Sequence, residues 1–158
     1  ISKNPKVLFL LAGAGELRDE LLEQSAELGI ADHILFSGFV RGKALEDAYR
    51  VADIFVMSSV SEPFGLTALE AAQYGPVICL SKQSGVGEVL KHALKFDYWD
   101  TDKLANQILT VIKEPAFSET LRAHSQHEIS SLSWETAADK ILELYNRTPK
   151  FKAEELVI

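Results

Sequence analysis

The sequence predicts an α/β protein with a doubly wound parallel sheet, and three observations support this fold class. Short apolar segments alternate with longer stretches that carry apolar residues at helical spacing. The apolar segments are nearly continuous, which is typical of strands covered on both faces. Glycine or proline marks several of the boundaries. We therefore expect one domain over residues 1–150, with helices on both faces of the sheet and more helices at its C-terminal end.

Length and composition narrow the class of protein. The chain has 158 residues, of which 47% are hydrophobic, so it can bury a substantial core. Its net charge of −7 and its scattered basic residues argue against a nucleic-acid partner. No run of about 18 apolar residues and no signal-peptide pattern occurs, so we expect a soluble protein. The composition leaves open a peripheral attachment of the full protein to a membrane.

The single cysteine bears on the cellular compartment of the protein, and the first residue bears on whether the sequence is a fragment. Cys79 lies in an apolar segment, where a thiol usually behaves as a small core hydrophobe. No disulfide can form within the chain, which fits a reducing compartment, and we expect a cytoplasmic protein. The chain starts with Ile1 instead of methionine, so we expect it to be a fragment of a longer protein.

The elements follow in order from the apolar patterns. Apolar runs predict strands over residues 6–12, 32–37, 54–57 and 77–80, of which 6–12 and 54–57 are expected to be buried, and an edge strand over 94–96. Helical spacing predicts helices over residues 17–28, 44–52, 66–74, 103–112, 118–130 and 134–146. A further helix is expected to open at residues 84–88. In the last helix Trp134, Ala138, Ile141 and Tyr145 predict a packing stripe, and residues 151–158 are expected to form a tail.

The chain is organised around residues 58–70, where a strand pattern stops and a helical pattern begins across a turn. In an open α/β sheet the ligand site lies at such a strand end. The first amides of the helix have no intrahelical partners and carry the positive end of its dipole, so an anion is the expected ligand. Gly65 in the turn leaves the backbone uncovered for close approach.

Two carboxylates, Glu62 and Glu70, flank this turn. Taken singly, each is compatible with a solvated surface acid. Together, however, the residues from Glu62 to Glu70 read E-P-F-G-L-T-A-L-E, and this E-x7-E pattern resembles the signature of retaining family-4 glycosyltransferases of the GT-B architecture. The resemblance implies a Rossmann-like domain that binds a nucleotide sugar.

The resemblance also implies a role for each residue of this stretch. Glu70 would hold the ribose hydroxyls of the donor, and Glu62, the expected catalytic residue, would meet hydroxyls of the donor sugar. The backbone amides of Gly65, Leu66 and Thr67 would face the diphosphate. These roles are chemically reasonable, because an ionised carboxylate can accept two charge-assisted hydrogen bonds from a cis-diol.

Three further segments resemble the same family. Gly13-Ala14-Gly15 follows the first strand; by itself it is a weak phosphate-loop pattern, but it resembles the family's G-x-G turn beside the donor cleft. Residues 36–40 resemble an F-x-G-x-V element, which implies that Phe39, Val40 and Arg41 lie near the base of the nucleotide. Arg41 could stack on that base or remain an ordinary solvated charge. Residues 84–88 resemble G-G-x-P-E and imply that Gly85 lies near the donor sugar.

Two other patterns suggest a metal but have simpler explanations. Asp100-Thr101-Asp102 is a D-x-D triplet directly before a predicted helix, and capping of that helix is the favoured interpretation. His124 and His127 are three residues apart without an evident third ligand, and are interpreted as surface histidines. We therefore expect no metal and no cofactor. The family resemblance implies a nucleoside diphosphate sugar as substrate.

The resemblance implies the donor-binding half of a hexosyltransferase, which would move a sugar to an acceptor hydroxyl with retention. The family's acceptor-binding N-terminal domain is not in this sequence, nor is the upstream Arg/Lys pair that contacts the donor diphosphate, so the chain alone is expected to be inactive. Three alternatives stay open. They are half of a sugar-nucleotide epimerase or phosphorylase of the same fold, a non-catalytic nucleotide- or protein-binding module, and a phospho-receiver-like domain, although the strand at 54–57 ends without the Asp that a receiver requires.

Overall fold

The computed structural model describes residues 6–147, and the chain divides into two compact units, Ile1–Val51 and Ala52–Ile158. Each unit is described by itself. The predicted tail at 151–158 lies outside the described residues, and the single domain predicted over 1–150 stays a prediction.

The first unit contains two strands and two helices. In chain order they are β1 (Phe9–Ala12), α1 (Arg18–Glu27), β2 (Ile34–Gly38) and α2 (Lys43–Val51). The two strands pair in parallel, with Phe9 opposite Ile34. Helix α1 is the crossover between them, as the alternating sequence pattern predicts.

Helix α1 ends in a turn at Gly29. The amide of Gly29 donates to the carbonyl of Ala26 over 3.0 Å, and the amide of Ile30 donates to that of Ser25 over 2.9 Å. This pair of bonds is the Schellman arrangement, which satisfies carbonyls that would otherwise lack partners at the helix end. The chain then turns through Ala31–His33, a short 3₁₀ segment, into β2.

The prediction of a buried strand over residues 6–12 is wrong in its extent and in its burial. Strand β1 begins at Phe9, and its side chains are exposed, with Leu10 at 45% and Leu11 at 40%. A continuous apolar run predicts burial only where further strands and helices cover both faces. The sheet of this unit has only two strands within the described residues.

The second unit contains a three-stranded sheet and four helices. Its elements are β3 (Ile54–Met57), α3 (Leu66–Gln73), β4 (Val77–Ser81), β5 (Leu94–Phe96), α4 (Thr101–Lys113), α5 (Pro115–Ser130) and α6 (Trp134–Arg147). The strands lie in the order β3-β4-β5 and all pair in parallel. The bounds predicted for β3 and the edge position predicted for β5 are therefore confirmed.

Strand β4 is the centre of this unit's core. Each of its five residues is no more than 1% exposed, and Phe96 of β5 is equally buried. Helix α3 packs against the sheet with small side chains, since Ala68, Ala71 and Ala72 are fully covered. Full burial of an aliphatic side chain such as Ile or Leu contributes about 1.5–3 kcal/mol, so β4 is a rigid base for the loops at its carboxyl end.

Helices α4 and α5 follow β5 with a sharp break between them. Pro115 is the first residue of α5, a position where the missing amide costs nothing. The hydroxyl of Ser118 donates to the carbonyl of Val111 over 2.6 Å and links the two helices. The break predicted between residues 112 and 118 is confirmed, but α5 begins at Pro115, earlier than residue 118.

Two element predictions in this unit are wrong. Residues 84–88 do not open a helix; Gly85–Glu88 form one 3₁₀ turn, held by bonds to a distant segment that no local pattern encodes. The stripe on α6 is not a packed face, because Trp134 is 87% exposed and Tyr145 72% exposed. Helical periodicity predicts which residues share a face, but not whether anything covers it.

Candidate functional site

Gly65 joins the strand end of β3 to helix α3, and two constraints require glycine there. Its φ of 99° and ψ of 54° place it in the left-handed region, which disfavours side chains. A Cβ at this position would also lie 2.6 Å from Cε of Met57. The turn predicted from the sequence is therefore a tight corner that other residues would strain.

The N-terminus of α3 is open within the described part of the chain. No side chain caps the helix at Gly65, and the hydroxyl of Thr67 turns toward Sδ of Met57 at 3.7 Å. The amides of Leu66 and Thr67 belong to the first turn, where the helix dipole is positive. This end of the helix can accept an anionic group.

The two carboxylates flank this helix start in different surroundings. Glu70 lies on the exposed face of α3 with Leu66 and Thr67, as the three-residue spacing predicts. Glu62 is half-buried, and its Oε1 accepts a hydrogen bond from the amide of Phe64 over 3.4 Å. Both carboxylates are therefore accessible to a ligand, and Glu62 is the more restrained of the two.

The turn that carries Glu62 is bound to the turn that follows β4. The amide of Glu62 donates to the carbonyl of Gln83 over 3.2 Å, and the amide of Gly85 donates back to the carbonyl of Glu62 over 3.0 Å. A third bond runs from the amide of Val86 to the carbonyl of Phe64. The two turns form a short parallel ladder beyond the sheet edge.

Gly85 is required by this ladder. A Cβ at Gly85 would lie 2.2 Å from the carbonyl oxygen of Pro63, a contact that backbone atoms cannot relieve. The resemblance of this segment to G-G-x-P-E implies a place for Gly85 near a sugar. In the structure, its absent side chain allows the two turns to approach.

Between these turns lies an open cleft of about 520 Å³. Residues of both turns and of β5 line it, among them Glu62, Ser84, Gly85, Glu88, Lys82 and Lys95. The cleft therefore combines two carboxylates, two ammonium groups and small polar side chains. Such a lining suits a polyhydroxylated ligand, which needs many donors and acceptors.

Sequence reasoning missed several residues that shape this cleft. The buried hydroxyl of Ser81 donates to the carbonyl of Ser59 over 2.5 Å and lies 3.2 Å from the hydroxyl of Ser84. These bonds tie the loop after β3, where the sequence shows a Ser58-Ser59 pair, to the end of β4. The sequence signal that could have indicated this role is a polar residue, Ser81, directly after the apolar residues of β4.

The candidates in the first unit lie at the carboxyl ends of β1 and β2. The amide of Gly13 donates to the carbonyl of Gly38 over 2.8 Å, so the Gly13–Gly15 turn lies beside the loop that carries Phe39 and Val40. Phe39 is 65% exposed, and the guanidinium of Arg41 lies 4.5 Å from its ring centre. Arg41 therefore makes a cation–π contact with its own loop.

The D-x-D triplet has the capping role predicted for it. Oδ1 of Asp100 accepts a hydrogen bond from the amide of Lys103 over 2.9 Å and begins helix α4. Among the described residues, no group of three or more His, Cys, Asp or Glu side chains is arranged to hold a metal ion.

The histidine prediction is incomplete. His124 stacks on His92 with 4.1 Å between ring centres, and Nδ1 of His92 lies 2.7 Å from Oε1 of Glu128. The exposed His124 is thus part of a contact between α5 and the loop before β5. Because these residues lie far apart in the sequence, local patterns could not predict this contact.

Cys79 has the structural role predicted for it. Its side chain is fully covered at the centre of β4, and burial raises the pKa of its thiol from 9.0 to about 12. A thiol that stays protonated at neutral pH is a poor nucleophile. Cys79 therefore takes no part in the cleft chemistry.

The second unit combines a parallel α/β fold with an open helix N-terminus between two accessible carboxylates. The chain belongs to the family of glycosyl transferases group 1, whose pattern matches residues 1–128. The family resemblance and the fold class predicted from the sequence are therefore confirmed.

Individual relatives support this assignment. The chain is 31% identical to an uncharacterized glycosyltransferase of Methanocaldococcus jannaschii, over 89% of this chain and 39% of that protein. It is 33% identical to the mannosylfructose-phosphate synthase of Agrobacterium fabrum, over 90% of this chain and 34% of that protein. The fold matches that of HepE from Anabaena, solved in complex with UDP, with a TM-score of 0.80 and 24% identity over 92% of this chain and 42% of that chain.

The chain therefore spans 39% and 34% of the lengths of these two curated relatives. None of the described helices combines the length and the apolar character that a membrane crossing requires.

Proposed function

We propose that this chain is the C-terminal, donor-binding half of a retaining glycosyltransferase of the GT-B architecture. The complete protein moves a hexose from a nucleoside diphosphate sugar to an acceptor hydroxyl, and a separate N-terminal domain binds the acceptor. The observation that carries the proposal is the E-P-F-G-L turn, with an uncapped helix start at Gly65 between the accessible carboxylates of Glu62 and Glu70. Family membership and the UDP, UDP with glucose and UDP-glucose complexes of HepE support it.

Each group has a distinct task in this proposal. The first-turn amides of Leu66 and Thr67 bind the diphosphate and stabilise the charge that develops on it as the sugar leaves. The carboxylate of Glu70 accepts two hydrogen bonds from the ribose diol. Glu62 and the amide-rich turn at Gly85 contact the donor sugar. The family resemblance implies that Phe39, Val40, Arg41 and the Gly13–Gly15 turn lie on the base side of the nucleotide, and this role stays a prediction.

The helix amides and dipole take the place that a metal ion has in other sugar transferases, so donor binding is proposed to be metal-independent. The single cysteine of the sequence, a free buried thiol, supports a cytoplasmic location.

Titration calorimetry of the chain with UDP, GDP and ADP sugars tests the proposal. At least one of them is expected to bind weakly, since the other domain is missing, and its affinity should be unchanged by excess EDTA. The matching nucleoside monophosphate is the control, and should bind more weakly because it lacks the second phosphate that the helix amides face. A folded chain that binds none of these sugars at millimolar concentration would contradict the proposal, and a tenfold gain with magnesium would contradict its metal independence.

A further inference from the structure

Lys95 is a charged residue between two apolar ones in the short edge strand β5, and neither the capping pattern nor the family resemblance gives it a role. Phe96 beside it is fully buried, whereas Lys95 is partly exposed and lines the cleft. Its backbone is fixed, because it pairs with Leu80 of β4 and its carbonyl accepts a hydrogen bond from Nε2 of Gln107 over 3.1 Å. The side chain therefore starts from a rigid position.

The ammonium of Lys95 donates a hydrogen bond to the carbonyl oxygen of Gly87 over 2.7 Å. This carbonyl lies near the end of the 3₁₀ turn Gly85–Glu88. Carbonyls at the end of a helical turn lack intrahelical donors and carry partial negative charge, so a cation is a favourable partner. Lys95 thus fastens the end of the turn to β5.

Gly87 makes this contact possible. Residues 84–88 resemble a G-G-x-P-E segment, and Gly87 stands where that pattern has proline. A Cβ at Gly87 would lie 3.3 Å from Cε and 3.5 Å from Nζ of Lys95, which is crowded. The small residue therefore leaves room for the lysine, whose bond restrains a turn that a proline ring would otherwise stiffen.

The turn held in this way is the one that supports Glu62. Gly85 donates to the carbonyl of Glu62 and Val86 donates to that of Phe64, so the position of the Glu62 loop depends on the position of residues 85–88. These contacts form an uninterrupted path from the ammonium of Lys95 to the backbone of Glu62.

We propose that Lys95 is a positioning residue for donor binding: through the carbonyl of Gly87 it fixes the Gly85–Glu88 turn, and with it the Glu62 loop, in the arrangement that receives the donor sugar. The inference rests on the proposed function for its ligand. The restraint itself is a property of the folded chain and can be measured without any ligand.

The first measurement is amide hydrogen exchange by NMR on the free chain. In Lys95→Met the amides of Gly85 and Val86 should exchange about tenfold faster, since one hydrogen bond to a charged donor no longer restrains the turn. Lys82→Met is the matched control, because Lys82 lines the same cleft but pairs with Asp97 over 2.7 Å. It should leave these two amides unchanged. Equal exchange in wild type and Lys95→Met, or equal acceleration in Lys82→Met, would overturn the proposal.

The second measurement is calorimetric titration with the nucleotide sugar that binds best and with its bare nucleoside diphosphate. Lys95→Met should lower the affinity for the nucleotide sugar about five- to tenfold more than Lys82→Met does. Both variants remove one positive charge, but only Lys95→Met frees the turn. The bare nucleotide should be affected equally by both. Lys95→Arg should restore most of the loss, while Gly87→Ala, which crowds the ammonium, should reproduce part of it.

The outcomes separate the two proposals. If wild type binds no nucleotide sugar but Lys95→Met accelerates exchange at Gly85 and Val86, the proposed function fails and the restraint stands. If wild type binds the nucleotide sugar and Lys95→Met lowers the affinities for the nucleotide sugar and for the bare nucleotide equally, the positioning role is refuted and the proposed donor site stands. If Lys95→Arg behaves like Lys95→Met, a role that depends on the hydrogen-bonded charge is likewise refuted.

Discussion

Glu62 and Glu70 carry the same functional group, but the fold gives them different surroundings. Glu70 projects from the exposed face of α3, while Glu62 is half-buried, and its amide and its carbonyl both bond to the turn after β4. A truncation at Glu62 removes the carboxylate and its long 3.4 Å hydrogen bond from the amide of Phe64, while the backbone bonds of the ladder stay in place. The two side chains can therefore be compared without a change in the fold.

We predict that Glu70→Ala and Glu62→Ala affect different ligands. If Glu70 holds the ribose diol, Glu70→Ala should weaken the binding of nucleoside diphosphate and of nucleotide sugar alike, by roughly 1.5–3 kcal/mol. Glu62→Ala should weaken only the sugar-bearing donor. Calorimetric titration of both ligands into both variants measures the difference.

Glu119→Ala is the matched control for this comparison, since Glu119 is an exposed acid on α5 of the same unit. It should leave both affinities unchanged, and each of the three variants should keep its stability within about 0.5 kcal/mol. Equal losses for both ligands in both site variants would contradict the division of roles. No loss in either would return both acids to the class of ordinary surface carboxylates.

At the scale of elements, local chemistry predicted some boundaries and failed at others. Asp100 before a helical pattern is sufficient to predict a cap, because capping depends on residues within one turn. The turn at 84–88 was predicted as a helix start, since its glycines and Glu88 are compatible with one. Its actual form depends on bonds to Glu62 and Phe64, which are distant in sequence.

We predict that Asp100→Ala destabilises the protein by about 1 kcal/mol through the loss of the bond to the amide of Lys103. Asp102→Ala should cost less, because Asp102 is exposed in the first turn of α4 and interacts only with the helix dipole. Urea denaturation measures both changes. Magnesium should leave the stability of all three proteins unchanged; a stabilisation of wild type that is absent from both variants would show that the triplet binds metal.

At the scale of the whole molecule, stability depends on the burial of β4. Cys79 at its centre is protonated in the folded state, with a pKa raised by burial from 9.0 to about 12. The unfolded thiol loses its proton near its ordinary pKa, so above that pH the unfolded state binds fewer protons than the folded state. The contribution of Cys79 is therefore fully present below about pH 9 and is lost as the pH rises toward about 12.

We predict that the free energy of unfolding of wild type falls faster with pH than that of Cys79→Ala. The difference between the two should be constant below about pH 9 and should shrink above it by up to about 1.4 kcal/mol per pH unit. Urea denaturation from about pH 7 to pH 10.5 measures it, and subtraction of the variant removes the contribution of lysines and tyrosines. A difference that does not change with pH would show that the thiol reaches solvent in the folded protein.

The sequence by itself determined the family, the alternation of helices with parallel strands, the corner at Gly65 and the cap at Asp100. These features depend on local rules, since a steric limit at one residue or a hydrogen bond within one helical turn is visible in a few neighbouring letters. The position of the E-x7-E motif was readable for the same reason.

Only the tertiary structure decided how the Glu62 loop is held and which side chains surround it. Gly85 beneath Pro63, the hydroxyl of Ser81 on the loop after β3, and the ammonium of Lys95 on Gly87 all join segments that are separated along the chain. Tertiary structure also decided that the apolar faces of β1 and α6 are exposed in the described chain. Periodicity specifies a face, whereas burial and long-range hydrogen bonds depend on which other segments the fold brings against it.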